Sequence, residues 1–121
     1  MNLDKNEENK PQRVSEVLNA AADLINKQGL CKGQMREGAL FDDFSGPHCT
    51  LGAIETVTGE SPGLYSHPDN LAGRTAEILE EYVGLPVHNW NDARSRTKGQ
   101  VVRKLRKVAK KEAEYEKGLK N

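Results

Sequence analysis

Apolar residues recur along this chain at helical spacing in four stretches, separated by polar or glycine-rich segments. In the first, Val14, Val17, Leu18, Ala21, Leu24 and Ile25 fall at i, i+3, i+4, i+7, i+10 and i+11, one stripe of an α-helix. Pro11 before the stripe and Gly29 after it bound a predicted helix over residues 11–28. A short helix is predicted over 48–58, where Cys49, Gly52, Ala53 and Val57 form a small-residue face open to close approach by a neighbouring helix, and Gly59 stops it. In the third stretch Leu71, Thr75, Ile78, Leu79 and Tyr82 share a face, with Asp69 or Asn70 as N-cap and Gly84 as the stop. The fourth carries Val101, Leu105, Val108 and Glu112 on one side. It follows Thr97 and Gln100, whose spacing matches a capping box.

The intervening segments read as connections. Residues 30–47 hold three glycines and a proline, which predicts a loop or irregular hairpin with Met35, Leu40, Phe41 and Phe44 folding back on the core. Residues 60–69 contain two prolines, and residues 85–96 separate the last two helices. Residues 1–10 are polar and charged throughout and predict a disordered leader. Beyond residue 113 the apolar stripe fades, so 114–121 read as a frayed charged tail. The expectation is an all-α domain over 11–113, a compact bundle of about four helices with a Gly-rich irregular segment between the first two.

Composition narrows the class further. The chain of 121 residues is 36% hydrophobic and 30% charged, with a mean hydropathy of −0.76. No apolar run approaches the roughly 18 residues of a membrane span. The acidic, polar first thirty residues show no secretory signal, so a cytoplasmic protein with no membrane partner is expected. The zero net charge hides a segregation. Residues 94–121 carry eleven of the 18 Lys and Arg against three acids, a surplus of eight, and the rest of the chain is correspondingly acidic. Such asymmetry points to nucleic acid or an acidic partner, or else to an acidic body lying beside a basic helix.

Four sets of residues carry candidate chemistry. Cys31, His48, Cys49, His67 and His88 have zinc-ligand atoms, but their spacing lacks the short paired knuckle of a structural site, and no metal or cofactor is expected. Cys49 stands near a helix start, where the dipole lowers a thiol pKa, and His48 precedes it. Against that, a short helix flanked by glycines already explains a small buried thiol at this position, and that reading is preferred. His88-Asn89-Trp90-Asn91-Asp92 places the only Trp among hydrogen-bonding side chains. It is either a partner anchor or a core plug with a turn cap. Residues 94–111 hold nine bases and no acid, suited to sequence-tolerant phosphate contact or to a solvated face.

Several of these motifs are shared with a known family. Ala21, Ala22, Leu24 and Ile25, then Gly29, Cys31 and Gly33 form an AAxLI…GxCxG pattern. Cys49, Gly52 and Ala53 follow as CxxGA, and Trp90, Asn91 and Asp92 with Arg96, Thr97 and Gln100 as WND…RTxxQ. The chain thereby resembles small proteins of actinobacteria and their phages that carry a domain of unknown function. That resemblance implies an accessory or host-interaction role and no mechanism.

The leading expectation is a small non-enzymatic accessory protein that binds a macromolecular partner, protein or nucleic acid. Its contact surface would be Asn89, Trp90, Asn91, Asp92, Arg94 and Arg96 with the basic last helix. The alternative is a nucleic-acid-binding regulator touching phosphates through Arg103, Lys104, Arg106, Lys107, Lys110 and Lys111. The third reading is a Cys49 thiol enzyme or a small-ligand pocket at Cys31, His48 and Cys49.

Overall fold

The computed structural model describes residues 10–35, 46–63 and 68–119. The predicted leader up to residue 9, and the infolding of Leu40, Phe41 and Phe44, lie outside the described residues. Among those described there are five helices and no strand: α1 (Val14–Gln28), α2 (Thr50–Thr58), α3 (Leu71–Val83), α4 (Val87–Asp92) and α5 (Lys98–Leu119). The all-α class follows from the sequence pattern, and four of the five helices lie where the stripes predict them.

The stripe of α1 turns inward, burying Val17, Leu18, Ala21 and Ile25 completely, and α5 lies antiparallel along it. Three contacts fix that orientation. Lys98 Nζ donates to the Asn26 carbonyl near the end of α1, Arg106 reaches Asn19 and Asp23 at its middle, and Glu116 accepts from Ser15 N and Oγ at its start. Val101, Leu105, Val108 and Ala109 of α5 close on α1, and Ile54 of α2 with Ala76 and Leu79 of α3 completes the core. Thr97 and Gln100 form the expected capping box, each side chain accepting from the other's backbone N–H at 3.2 and 3.0 Å. Asn70 caps α3 by accepting from Gly73 N at 2.7 Å. Gly59 and Gly84 end α2 and α3 in the left-handed region that a side chain disfavours.

Four boundaries differ from the sequence expectation. Helix α1 begins at Val14, because Arg13 is extended and stands as its N-cap. Helix α2 begins at Thr50 and not at His48, since His48 is drawn into an isolated parallel bridge with Leu30. There its carbonyl accepts from Cys31 N at 3.0 Å and its N–H donates to Gly29 O at 3.1 Å. Part of the predicted 85–96 connection is helical, as α4. Pro86 precedes its first turn, and Glu80 accepts from the otherwise orphaned Val87 N–H at 3.3 Å. Helix α5 continues past residue 113 to Leu119, its last turns held by the Glu116 bonds to Ser15.

The small-residue face of α2 does admit a close neighbour, but that neighbour is backbone and not a helix. A Cβ on Gly52 would run into the Met35 carbonyl oxygen, which accepts from Cys49 N at 2.9 Å. Gly52→Ala should therefore destabilise the fold by about 1–3 kcal/mol, despite the better helix propensity of alanine. Gly118→Ala, with open space around it, should be neutral or stabilising. Urea unfolding midpoints of the two variants check the contrast.

Candidate functional site

Helix α4 turns a polar residue inward. Asn91 is fully buried, and its side-chain oxygen accepts from both Thr50 N at 2.8 Å and Thr50 Oγ1 at 2.7 Å. Its amide nitrogen donates to Cys31 O at 3.1 Å and Asp92 Oδ1 at 2.9 Å. An amide has two acceptor sites and two donors, so all four positions are taken. Asp92 Oδ1 also accepts from Gly33 N at 3.1 Å. Trp90 is 5% exposed and joins the core, its carbonyl accepting from Arg96 Nε at 2.9 Å while the guanidinium lies 4.9 Å from the indole centroid. Lys32 Nζ donates to Ala93 O at 2.7 Å just past the end of α4, where a cation is favoured. Trp90 and Asn91 are thus interior residues that hold the fold, and neither can meet a partner directly. Of the six residues predicted as a contact surface, Asn89, Asp92 and Arg94 are exposed and Arg96 is half-buried over the indole.

The predicted pocket residues are neighbours along the Leu30–His48 bridge, but their side chains have different surroundings. His48 is fully buried, with Nδ1 at 2.8 Å from Gly46 O and Nε2 at 3.1 Å from Thr56 Oγ1. A ring that donates through Nδ1 to the carbonyl and accepts at Nε2 from the hydroxyl satisfies both. Cys31 is also interior, its thiol donating to Gln34 O at 3.4 Å. Cys49 borders an open cleft of about 170 Å³ together with Met35, Leu51, His88 and Asp92. The Cys49 sulfur accepts from Gly52 N at 3.2 Å and so caps α2, as a serine oxygen would. Burial pushes this thiol above its ordinary pKa. The backbone N–H groups of Gly52 and Leu51 pull the other way but do not offset the desolvation, and Asp92 and Glu55 raise it further. The helix start therefore fails to activate Cys49, contrary to the dipole argument, because losing water costs the thiolate more than two amides return. Both cysteines are free. Among the described residues, no three His, Cys, Asp or Glu side chains are grouped as a metal site.

The basic helix presents a different surface. Arg103, Lys107, Lys110 and Lys111 are exposed on α5, Lys104 is half-buried, and none of the five is in an ion pair among the described residues. Arg106 alone of the six is neutralised, by Asp23 at 2.6 Å on α1. Among the described residues, Asp23 is thus the only carboxylate in an ion pair with this stripe.

A model described as a family of unknown function, DUF6197, matches residues 9–111 of this chain. The chain belongs to the DUF6197 family. No curated protein and no solved structure matches it. The matched DUF6197 region contains the whole Asn91 cluster, the Cys49 cleft and the unpaired bases of α5. The cleft was missed as a grouping from sequence, where His88 and Asp92 looked like loop residues. Their four-residue spacing places both on one side only once α4 is helical.

Asn91→Ala should cost about 3 kcal/mol, since it strands Thr50 N–H and the Cys31 carbonyl without water. Chemical denaturation of the purified variant checks this. Cys49 should resist alkylation in the folded protein at neutral pH and react readily once denatured. Because its folded pKa is raised, native labelling should need a higher pH than labelling of the denatured chain. Iodoacetamide labelling followed by mass spectrometry over a pH series reads both.

Proposed function

We propose that this chain is a small non-enzymatic accessory protein that binds nucleic acid through phosphate contacts made by the outer face of α5. The observation that carries this reading is the row of exposed, unpaired bases on a rigid helix of 22 residues. Arg103, Lys107 and Lys110 lie at i, i+4 and i+7, so they project from one side and present a continuous cationic strip. The burial of Trp90 removes the aromatic anchor that would have favoured a protein partner, and with it the case for a Trp-centred contact. The same strip carries no aromatic side chain, which favours sequence-tolerant binding over base stacking. A thiol kept protonated by burial supports the non-enzymatic part of the reading. The motif likeness to actinobacterial and phage proteins supports an accessory role in the cytoplasm, the host's where the protein is phage-encoded.

Fluorescence anisotropy on a short labelled DNA duplex at several salt concentrations tests the proposal. Micromolar binding should weaken steeply with salt, with a slope near 0.9 per phosphate neutralised. The Arg103→Glu, Lys107→Glu, Lys110→Glu variant should lose binding by at least about tenfold, and its slope should fall by about 3. Absence of binding by the wild-type protein at low salt would overturn the reading and turn attention to an acidic protein partner.

A further inference from the structure

Three large apolar side chains are exposed among the described residues: Tyr82 at 38%, Leu85 at 39% and Tyr115 at 63%. All three lie on the α3 side of the molecule. Tyr82 and Tyr115 line a groove of about 520 Å³ between α3 and α5, together with Arg74, Glu77, Glu81 and Glu112. Leu85 borders the adjoining hollow, which shares Glu77 and Glu81. Tyr82 donates to Glu112 at 3.0 Å, fixing one wall of the groove. Exposed apolar groups gathered on one face of a small protein mark an interaction surface.

The charges beside this groove identify the occupant. On its α3 side, Glu77 and Glu81 stand one turn apart, both exposed and neither in an ion pair among the described residues. On α5, Lys104, Lys111 and Tyr115 are separated by seven and four residues and so share one edge of the helix. Because Tyr115 lines the groove, that edge is the one beside α3. The groove thus has Glu77 and Glu81 on its α3 side, and from Tyr115 the basic edge of Lys104 and Lys111 continues along α5. We propose that the chain forms a symmetric homodimer across this groove, a twofold axis laying the Glu77 and Glu81 ridge of each copy against the Lys104 and Lys111 ridge of the other. A twofold contact requires a self-complementary patch, which neighbouring ridges of opposite sign supply. A net charge of zero removes overall repulsion between the copies. Arg103, Lys107 and Lys110 lie about a quarter turn further round α5 and stay exposed in such a dimer, so this inference is independent of nucleic-acid binding.

Sedimentation equilibrium of the full chain, free of nucleic acid, tests it at about 50 mM and about 500 mM salt. The expected result at low salt is a species of twice 13.4 kDa, with dissociation at least tenfold easier at high salt. Tyr115→Ala and Lys111→Glu should each weaken dimerisation at least tenfold. The variant Glu77→Lys, Glu81→Lys, Lys104→Glu, Lys111→Glu, with both ridges inverted, should dimerise with itself and not with wild type. An Arg103→Gln, Lys110→Gln variant of the outer stripe should dimerise as wild type does. A monomer at low salt, indifference to Tyr115→Ala and Lys111→Glu, failure of the inverted variant to self-associate, or loss of the dimer in the outer-stripe variant would each overturn the proposal.

Discussion

The fold depends on one buried amide. Among the described residues, Asn91 is the one side chain that joins α4, the start of α2 and the chain just after α1, and it does so with every hydrogen-bonding position filled. A fully satisfied polar group in a low-dielectric interior is directional where apolar contacts are not, so it sets the relative placement of three segments that hydrophobic burial alone would leave loosely defined. Its neighbours extend the arrangement outward. Asp92 holds Gly33, Arg96 stacks on Trp90 while bonding its carbonyl, and Lys32 reaches back to the carbonyl of Ala93. The segment that looked most like a binding loop spends its polar groups on the protein itself.

That allocation explains why the candidate binding surface lies elsewhere. With the amides and indole committed inward, the exposed chemistry is concentrated on α5 and α3. On α5 five bases are in no ion pair among the described residues, and on α3 Glu77 and Glu81 are exposed. Among the described residues, the Arg106–Asp23 pair that binds α5 to α1 is the one ion pair between the acidic and the basic parts of the sequence. The Cys49 cleft shows the opposite balance, because its titratable groups gather closely while burial raises the pKa of the thiol.

The helices with long apolar stripes were legible in the sequence, as were the Asn70 cap, the Gly84 stop and the Thr97–Gln100 box, since each signal is local. Helix α4 was not, because six residues make less than two turns and its inward face combines Val87 and Trp90 with a polar Asn91, so no amphipathic period can emerge. For Trp90 the sequence left two roles open, and only tertiary packing decides between them. The displacement of His48 from α2 was likewise illegible, because it follows from backbone bonds to Gly29 and Cys31 far back in the chain. On α5 the density of basic residues could be read directly, but their freedom from partners could not, since that depends on where the carboxylates of α1 and α3 project.

The clasp between Ser15 and Glu116 has a mechanical consequence. It brings the start of α1 and the last turns of α5 to the same pole of the molecule, while the Asn91 cluster occupies the opposite pole, beyond the end of α1. Tension applied through these two helix ends would load that clasp first. The antiparallel pair would then open like a zip, turn by turn past Arg106 and Asp23, instead of resisting in shear, and the amide-stapled pole would be the last part to come undone.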